Sequence, residues 1–263
     1  MSIGFSLVPG NAIASAVFVE QEFKKTGVSG PIPQKIAFLA QYNTGKTPTN
    51  NVGIVVTSAD EVASLAGRGS MAHLMAIKLF QNIGAGTPEV TWFPLAAGTG
   101  AATGGTITAS GTASSAVTIS LYSAGKKISV AVTSGLVQND IATAIAAAIN
   151  ADLDLPVTAS ATTNVVTLTP RWVGLSANGI KIQKDLGSTD AANEPGTTTI
   201  TIAALAGGSA DPDISTALAN FGDTWYTWVV CPYNADASCL LLEAAGVARR
   251  NPGDTARCVE CVE

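Results

Sequence analysis

Between Glu89 and Lys126 the sequence carries no charged residue, and its composition turns abruptly to Gly, Thr, Ser and Ala alternating with apolar positions. This change of texture constrains the fold more than any motif, because the stretches on either side obey a different pattern. Upstream, Lys35 to Ala40 (KIAFLA) is a continuous apolar run, as expected of a strand covered on both faces, and Val52 to Thr57 (VGIVVT) is a weaker second one. Inside the altered stretch, Thr106-Ile107-Thr108, Val117 to Tyr122 and Lys127 to Val132 alternate with period two. That pattern predicts half-exposed antiparallel strands joined by tight turns, one of them at Ala124-Gly125.

Helical signals divide in the same way. Ser58-Ala59-Asp60-Glu61 has the S-x-x-E form of a capping box and predicts a helix from Ala59 to Ala66. Gly67-Arg68-Gly69 breaks it, and Ser70 can cap a second helix in which Met71, Leu74, Met75, Lys78 and Leu79 keep helical spacing. Val90 to Leu95 (VTWFPL) returns to strand. Within the alternating region a helix is expected from Asn139 to Asn150, with Ile141, Ile145 and Ile149 on one stripe. Strands follow at Val157 to Ala159, Val165 to Thr169, Gly179 to Ile182 and Thr198 to Ala203. After Gly207-Gly208 the first texture resumes: a helix at Pro212 to Asn220, a buried strand at Tyr226 to Cys231 and a helix from Ala235 to Ala248.

The simplest fold class is mixed, α+β or α/β and multidomain: a layered α/β core formed by two sequence segments, with an inserted β-rich domain carrying one helix. The expected boundaries are 31–96 and 208–250 for the core segments and 100–207 for the insertion. Residues 1–30, with Pro9, Gly10, Gly27 and Gly30 around the β-prone patch Ala16 to Val19, read as an extended N-terminal arm suited to adding a strand to a neighbouring sheet. Residues 251–263 form a tail of different composition.

Composition excludes several classes of function. Only 13% of the 263 residues are charged and the net charge is −5, which fits neither a disordered polymer nor a basic nucleic-acid reader and suits self-association. Apolar runs such as Ile141 to Ile149 fall short of the roughly 18 to 20 residues needed to cross a bilayer. Ala14-Ser15-Ala16 imitates a signal-peptidase site, but no Lys or Arg precedes it and Pro9-Gly10 breaks the apolar stretch, so synthesis in the cytosol is expected. Four Cys do not make a disulfide scaffold, and Cys231, in an apolar run, predicts a buried thiol.

Each chemical motif has a simpler structural reading beside it. Ala40-Gln41-Tyr42-Asn43-Thr44-Gly45-Lys46-Thr47 fits a relaxed phosphate-binding loop, which would put Lys46 on the phosphates and Thr47 on Mg²⁺. Ala40 replaces the leading Gly, and Pro48-Thr49-Asn50-Asn51 follows where a helix should begin, so an ordinary polar loop is expected. Gly67-Arg68-Gly69-Ser70 could cradle an anion through backbone amides and Arg68, against a plain break between helices. His73, the sole histidine, has no evident orienting partner in the sequence, which leaves a hydrolase triad or a zinc site without support. Cys258-Val259-Glu260-Cys261 is a lone CxxC near the C-terminal end. Asp211-Pro212-Asp213 reads as helix capping, and of Trp225, Tyr226 and Trp228 at least half should face the core. Trp172 could serve a carbohydrate-binding module as a stacking platform. The residues thus define no catalytic, cofactor or metal set, and self-assembly leads over the nucleotide-binding and carbohydrate-binding alternatives.

A resemblance sharpens that reading. Gly67-Arg68-Gly69-Ser70-Met71, Ser120 to Ile128 (SLYSAGKKI), and Ile141 to Asp152 (IATAIAAAINAD) running into Leu155 to Ala159 (LPVTA) are similar to the tail sheath protein of Mu-like contractile-tailed phages and prophages. Val166 to Thr169, Gly207-Gly208, Pro212-Asp213, Gly222-Asp223 and Pro232-Tyr233 continue the match in order over about residues 9–249. The resemblance implies a structural protein and no enzyme. It implies six-fold rings of this chain stacked around a tail tube protein, attached to a baseplate in the virion tail, made in the host bacterial cytoplasm, with no nucleic acid or membrane insertion. It also implies a C-terminal half that does not follow here: Arg249 to Glu263 (RRNPGDTARCVECVE) departs from the family pattern, and a truncated chain is expected.

Overall fold

The computed structural model describes residues 34–83, 88–98, 104–184, 196–250 and 260–262, the last three by backbone alone. The arm at 1–30 and nearly all of the tail at 251–263 lie outside these residues. The first apolar run forms β1 (Lys35–Gln41), buried from Ile36 onward. β2 (Ile54–Val56) is shorter than the run from Val52 to Thr57, and Val52 and Val55 are exposed. It leads into α1 (Ala59–Ala66), α2 (Met71–Asn82) and β3 (Glu89–Leu95). Half of the capping box forms as expected, with Ser58 Oγ accepting from the Glu61 N–H at 3.2 Å. The Glu61 carboxylate reaches one residue further back and accepts from the Thr57 N–H and hydroxyl at 2.8 and 2.9 Å.

The alternating region folds into β4 (Thr106–Ser110), β5 (Val117–Ser123), β6 (Lys126–Val132), α3 (Gln138–Ala151), β7 (Val157–Thr162) and β8 (Val165–Pro170). β9 (Ile182–Lys184) and β10 (Thr199–Ala203) complete it. The β5–β6 turn uses Ala124 at φ +50° and Gly125 at φ +78°, the two positive φ angles of a two-residue hairpin that follows strand twist. The strand expected at Gly179 to Ile182 starts later, as β9 from Ile182, and a 3₁₀ turn at Leu175–Gly179 comes before it. Asp211 causes this by accepting from both the N–H and the hydroxyl of Ser176, at 2.9 and 2.8 Å.

The chain ends its described course in α4 (Ser215–Ala219), β11 (Trp228–Val230), α5 (Asp236–Arg250) and β12 (Glu260–Val262). α4 is shorter than the Pro212 to Asn220 expected, because Asp213 spends its carboxylate on the N–H and hydroxyl of Ser215 and so sets the start there. β11 begins only at Trp228, since Tyr226 turns aside to pack its ring at 5.9 Å from Phe93 and 5.0 Å from Phe221. Cys231 lies beyond the strand and is half-buried rather than buried.

Three sheets result. A five-stranded sheet runs β12-β11-β1-β3-β2, parallel except for β2, which pairs antiparallel with β3. The strands between residues 104 and 203 form two antiparallel sheets, β10-β4-β8-β7 and β6-β5-β9. This is the expected fold class: strands from both ends of the chain share one layered sheet, and a β-rich insertion with one helix lies between them in sequence. In the parallel sheet, Phe38 and Trp92 stack on one face, and Phe93 on the other meets Phe221 at 4.5 Å. In the insertion, Ile141, Ile145 and Ile149 of α3 are at most 1% exposed and pack over its strands.

Truncating Ile145 to Ala removes the middle of that stripe. The expected cost is about 2 to 5 kcal/mol, read as a lower urea midpoint; an unchanged midpoint would show that α3 is not the centre of the insertion's core.

Candidate functional site

A connected group of polar residues lies where the turn between α1 and α2 meets the loop between α3 and β7. Gly67 ends α1 at φ +92° with its N–H on Ala63 O, and Gly69 follows at φ +70°. A Cβ at residue 69 would collide with the carbonyl of Leu155 and stand 2.7 Å from that of Leu153. Glycine is therefore needed here for close backbone approach as well as for φ. Between the two glycines, Arg68 grips Asp154 with both arms: Nε lies 2.8 Å from Oδ1 and Nη2 2.9 Å from Oδ2. Such a fork matches carboxylate geometry. The anion that this segment could cradle is thus the protein's own Asp154.

Beneath the pair lies His73, 3% exposed. Ser70 caps α2 by accepting from the His73 N–H at 3.1 Å, and His73 Nδ1 accepts from the Gly69 N–H at 3.1 Å. Nδ1 is 3.9 Å from Asp154 Oδ1. From the end of β8, Arg171 Nε donates to Leu155 O at 2.9 Å. The hydrogen bond from Arg68 holds the Asp154 carboxyl below the usual carboxylate value of 3.8, and burial pushes the His73 imidazole below 6.5. Sequence reading placed Arg68, Ser70 and His73 but missed Asp154 and Arg171. Residues 68 and 154 are 86 positions apart, and no motif spans them.

The loop read as a relaxed phosphate-binding motif sits at the wrong end of a helix. Lys46 Nζ donates to Ser64 O at 2.8 Å, and the Asn43 N–H donates to Ala66 O at 2.8 Å. Both partners are carbonyls at the C-terminus of α1, where the helix dipole is negative and disfavours phosphate. Thr47 is exposed. The structure therefore gives the nucleotide reading no support, because Lys46 serves to cap a helix.

In open parallel sheets ligands bind beyond the carboxyl ends of strands where the chain's order reverses. Here that place is the end of β1 beside β11, and the protein's own backbone occupies it. Gln41, fully buried, donates Nε2 to Val173 O at 2.8 Å, and Asp211 pins Ser176 nearby. Burial raises the phenol of neighbouring Tyr233 far above 10. Trp172 is 9% exposed, which removes it as a stacking platform for sugars. Trp225 and Trp228 are each 37% exposed while Tyr226 is 5%, so one of these three rings faces the core rather than at least half. Asp211 organises the 3₁₀ turn and Asp213 the start of α4, which divides the work that sequence assigned to capping alone. Among the described residues no group of three or more His, Cys, Asp or Glu converges as a metal site would require. Cys258 lies outside them, and Cys261 is described only as backbone in β12.

These features define a layered α+β protein whose conspicuous polar side chains bind its own loops. No family model matches the chain. It is similar to the Mu-like prophage FluMu tail sheath protein of Haemophilus influenzae, with 31% identity over 255 residues, covering 96% of this chain and 51% of that protein. The chain is thus a relative of that tail sheath protein along nearly its whole length, and it spans about half the length of that curated relative. Among solved structures it is similar to a sheath tail protein of Listeria innocua, at 14% identity and a TM-score of 0.34, covering 86% of this chain and 47% of that one. A sheath tail protein of Desulfitobacterium hafniense gives 14% identity and a TM-score of 0.34, covering 93% and 52%. The relation in sequence, not these low-scoring superpositions, carries the assignment.

Two outcomes test the site. Because the folded pKa of Asp154 is depressed, its contribution is present above 3.8 and is lost as pH falls through the folded value. Asp154→Asn should therefore flatten the acid limb of a pH-dependent thermal melt below about pH 4. Titration calorimetry with ATP and Mg²⁺ should give no binding heat, and heat abolished by Lys46→Ala would restore the nucleotide reading.

Proposed function

We propose that this chain is a structural subunit of a contractile phage tail sheath, polymerising around the tail tube and contracting to drive the tube into the host cell. The observation that carries the reading is the 31% identity to a tail sheath protein along 96% of the chain. The charge-poor composition supports it, since surfaces with few charges associate readily. So does the crevice at the end of β1, which the chain fills with its own backbone where an enzyme of this layered type would hold a ligand. On this reading the chain is not an enzyme and its principal partner is itself, in six-fold rings stacked along the virion tail, with the tube protein and baseplate as further partners.

The organisation that follows is an arm at 1–30 linking neighbours, core segments at 31–96 and 208–250, and an insertion at 100–207 facing outward. Contraction would be a collective passage between two packings of the same subunits, which needs bistable contacts and no nucleotide. Among the described residues no helix is long and apolar enough to cross a membrane.

The purified chain, examined by sedimentation velocity and negative-stain imaging of the same sample, should associate with rising concentration into rings or tubules. A species that stays monomeric at every concentration, alone and when mixed with purified tail tube, counts against this assignment.

A further inference from the structure

His73 is the chain's sole histidine, and it is buried at the joint between the α1–α2 turn and the α3–β7 loop. Its Nδ1 accepts from the Gly69 N–H at 3.1 Å, so the neutral ring carries its proton on Nε2. Asp154 Oδ1 is 3.9 Å away and already accepts from Arg68 Nε at 2.8 Å. Gly69 is the residue whose backbone presses against the carbonyls of Leu153 and Leu155. One imidazole nitrogen therefore holds the backbone that must stay close and faces, at 3.9 Å, the carboxylate that holds it close.

A proton on Nδ1 changes that nitrogen from acceptor to donor. The Gly69 N–H then loses this acceptor in a buried position, where an unsatisfied amide costs more than the hydrogen bond contributed. The new N–H has Asp154 Oδ1 as its nearest carboxylate oxygen, and it can take that oxygen only in competition with Arg68. The charges around the ring act in both directions. Asp154 from the α3–β7 loop and Asp60 from α1 favour the cation, whereas Arg68 from the turn opposes it and burial opposes it most. Further out, Arg171 anchors Leu155 O, and Asp152 is paired with Lys126.

We propose that His73 is an acid-sensitive latch between the inserted strands and the layered core. In the closed joint Gly69 is held by the neutral ring. In the protonated joint the ring turns to Asp154, the Gly69 contact is lost, and the α3–β7 loop is freed to move on the α1–α2 turn. The sign follows from the depressed folded value: the closed joint binds fewer protons than the open one. The joint is therefore at full strength above 6.5 and weakens as pH falls below 6.5 toward the folded pKa. With one proton linked, the opening equilibrium rises by up to about tenfold per pH unit in that window. The Asp154 carboxylate acts separately, below 3.8.

The experiment uses the whole chain. A single histidine gives one set of imidazole signals, so an NMR titration reads His73 without assignment, and its midpoint should lie below 6.5. Amide exchange at Gly69, corrected for intrinsic rate, is followed from pH 7.5 to 5 in the native chain and in His73→Asn. Asn places an acceptor oxygen where Nδ1 stands and does not titrate. Protection should fall with pH in the native chain, by up to about tenfold per unit, and stay level in His73→Asn. Equal loss in both proteins overturns the proposal, as does a midpoint at or above 6.5. If the variant does not fold, the native chain decides: exchange at Gly69 that does not follow the His73 titration refutes the latch.

Discussion

At Gly69 two stretches of backbone come closer than any side chain would allow, and the relation between the layered sheet and the inserted strands depends on that approach. The carbonyls of Leu153 and Leu155 occupy the space that a Cβ at residue 69 would need. Gly67 and Gly69 both sit at positive φ, so the turn that ends α1 also presents Arg68 outward and the Gly69 N–H inward. Arg68 then fixes Asp154, and His73 fixes Gly69. Register follows from sterics first and from charge second.

The charged pair alone does not account for the joint. Arg68 is largely open to water, and exposed ion pairs contribute little because solvent screens them. What the fork supplies is direction, since two parallel hydrogen bonds allow one orientation of the loop. The apolar core gives most of the cohesion: Leu155 and Ile149 from the insertion and Met71 and Ala72 from α2 belong to one buried cluster. Asn150 adds a local clasp by trading hydrogen bonds with both backbone groups of Ala159, at 2.7 and 2.9 Å, which folds β7 back on α3.

Local patterns in the sequence were legible where local physics decides. The run from Lys35 to Ala40, the break at Gly67, the cap at Ser70, the turn at Ala124-Gly125 and the stripe Ile141, Ile145, Ile149 all appear as read. Each depends on neighbours within a few residues. The misreadings share the opposite property. The 3₁₀ turn at Leu175–Gly179 depends on Asp211, 35 residues from Ser176, and the late start of β11 depends on rings contributed by Phe93 and Phe221. Cys231 read as buried and at least half of Trp225, Tyr226 and Trp228 as facing the core, but β11 runs only from Trp228 to Val230, so Cys231 lies beyond it and Tyr226 alone of the three rings is buried.

By itself the sequence determined the two textures and the order of strands and helices, because periodicity, capping and turn chemistry are written within short windows, and it carried the resemblance to sheath proteins in its matching segments. Tertiary structure decided which polar residues meet. It set Lys46, in the loop expected to be an ordinary polar one, on a helix C-terminus, gave Arg68 a carboxylate 86 positions away, and buried Trp172. Partners distant in sequence are set by how layers pack, and packing depends on the summed shape of many side chains rather than on the spacing of any few.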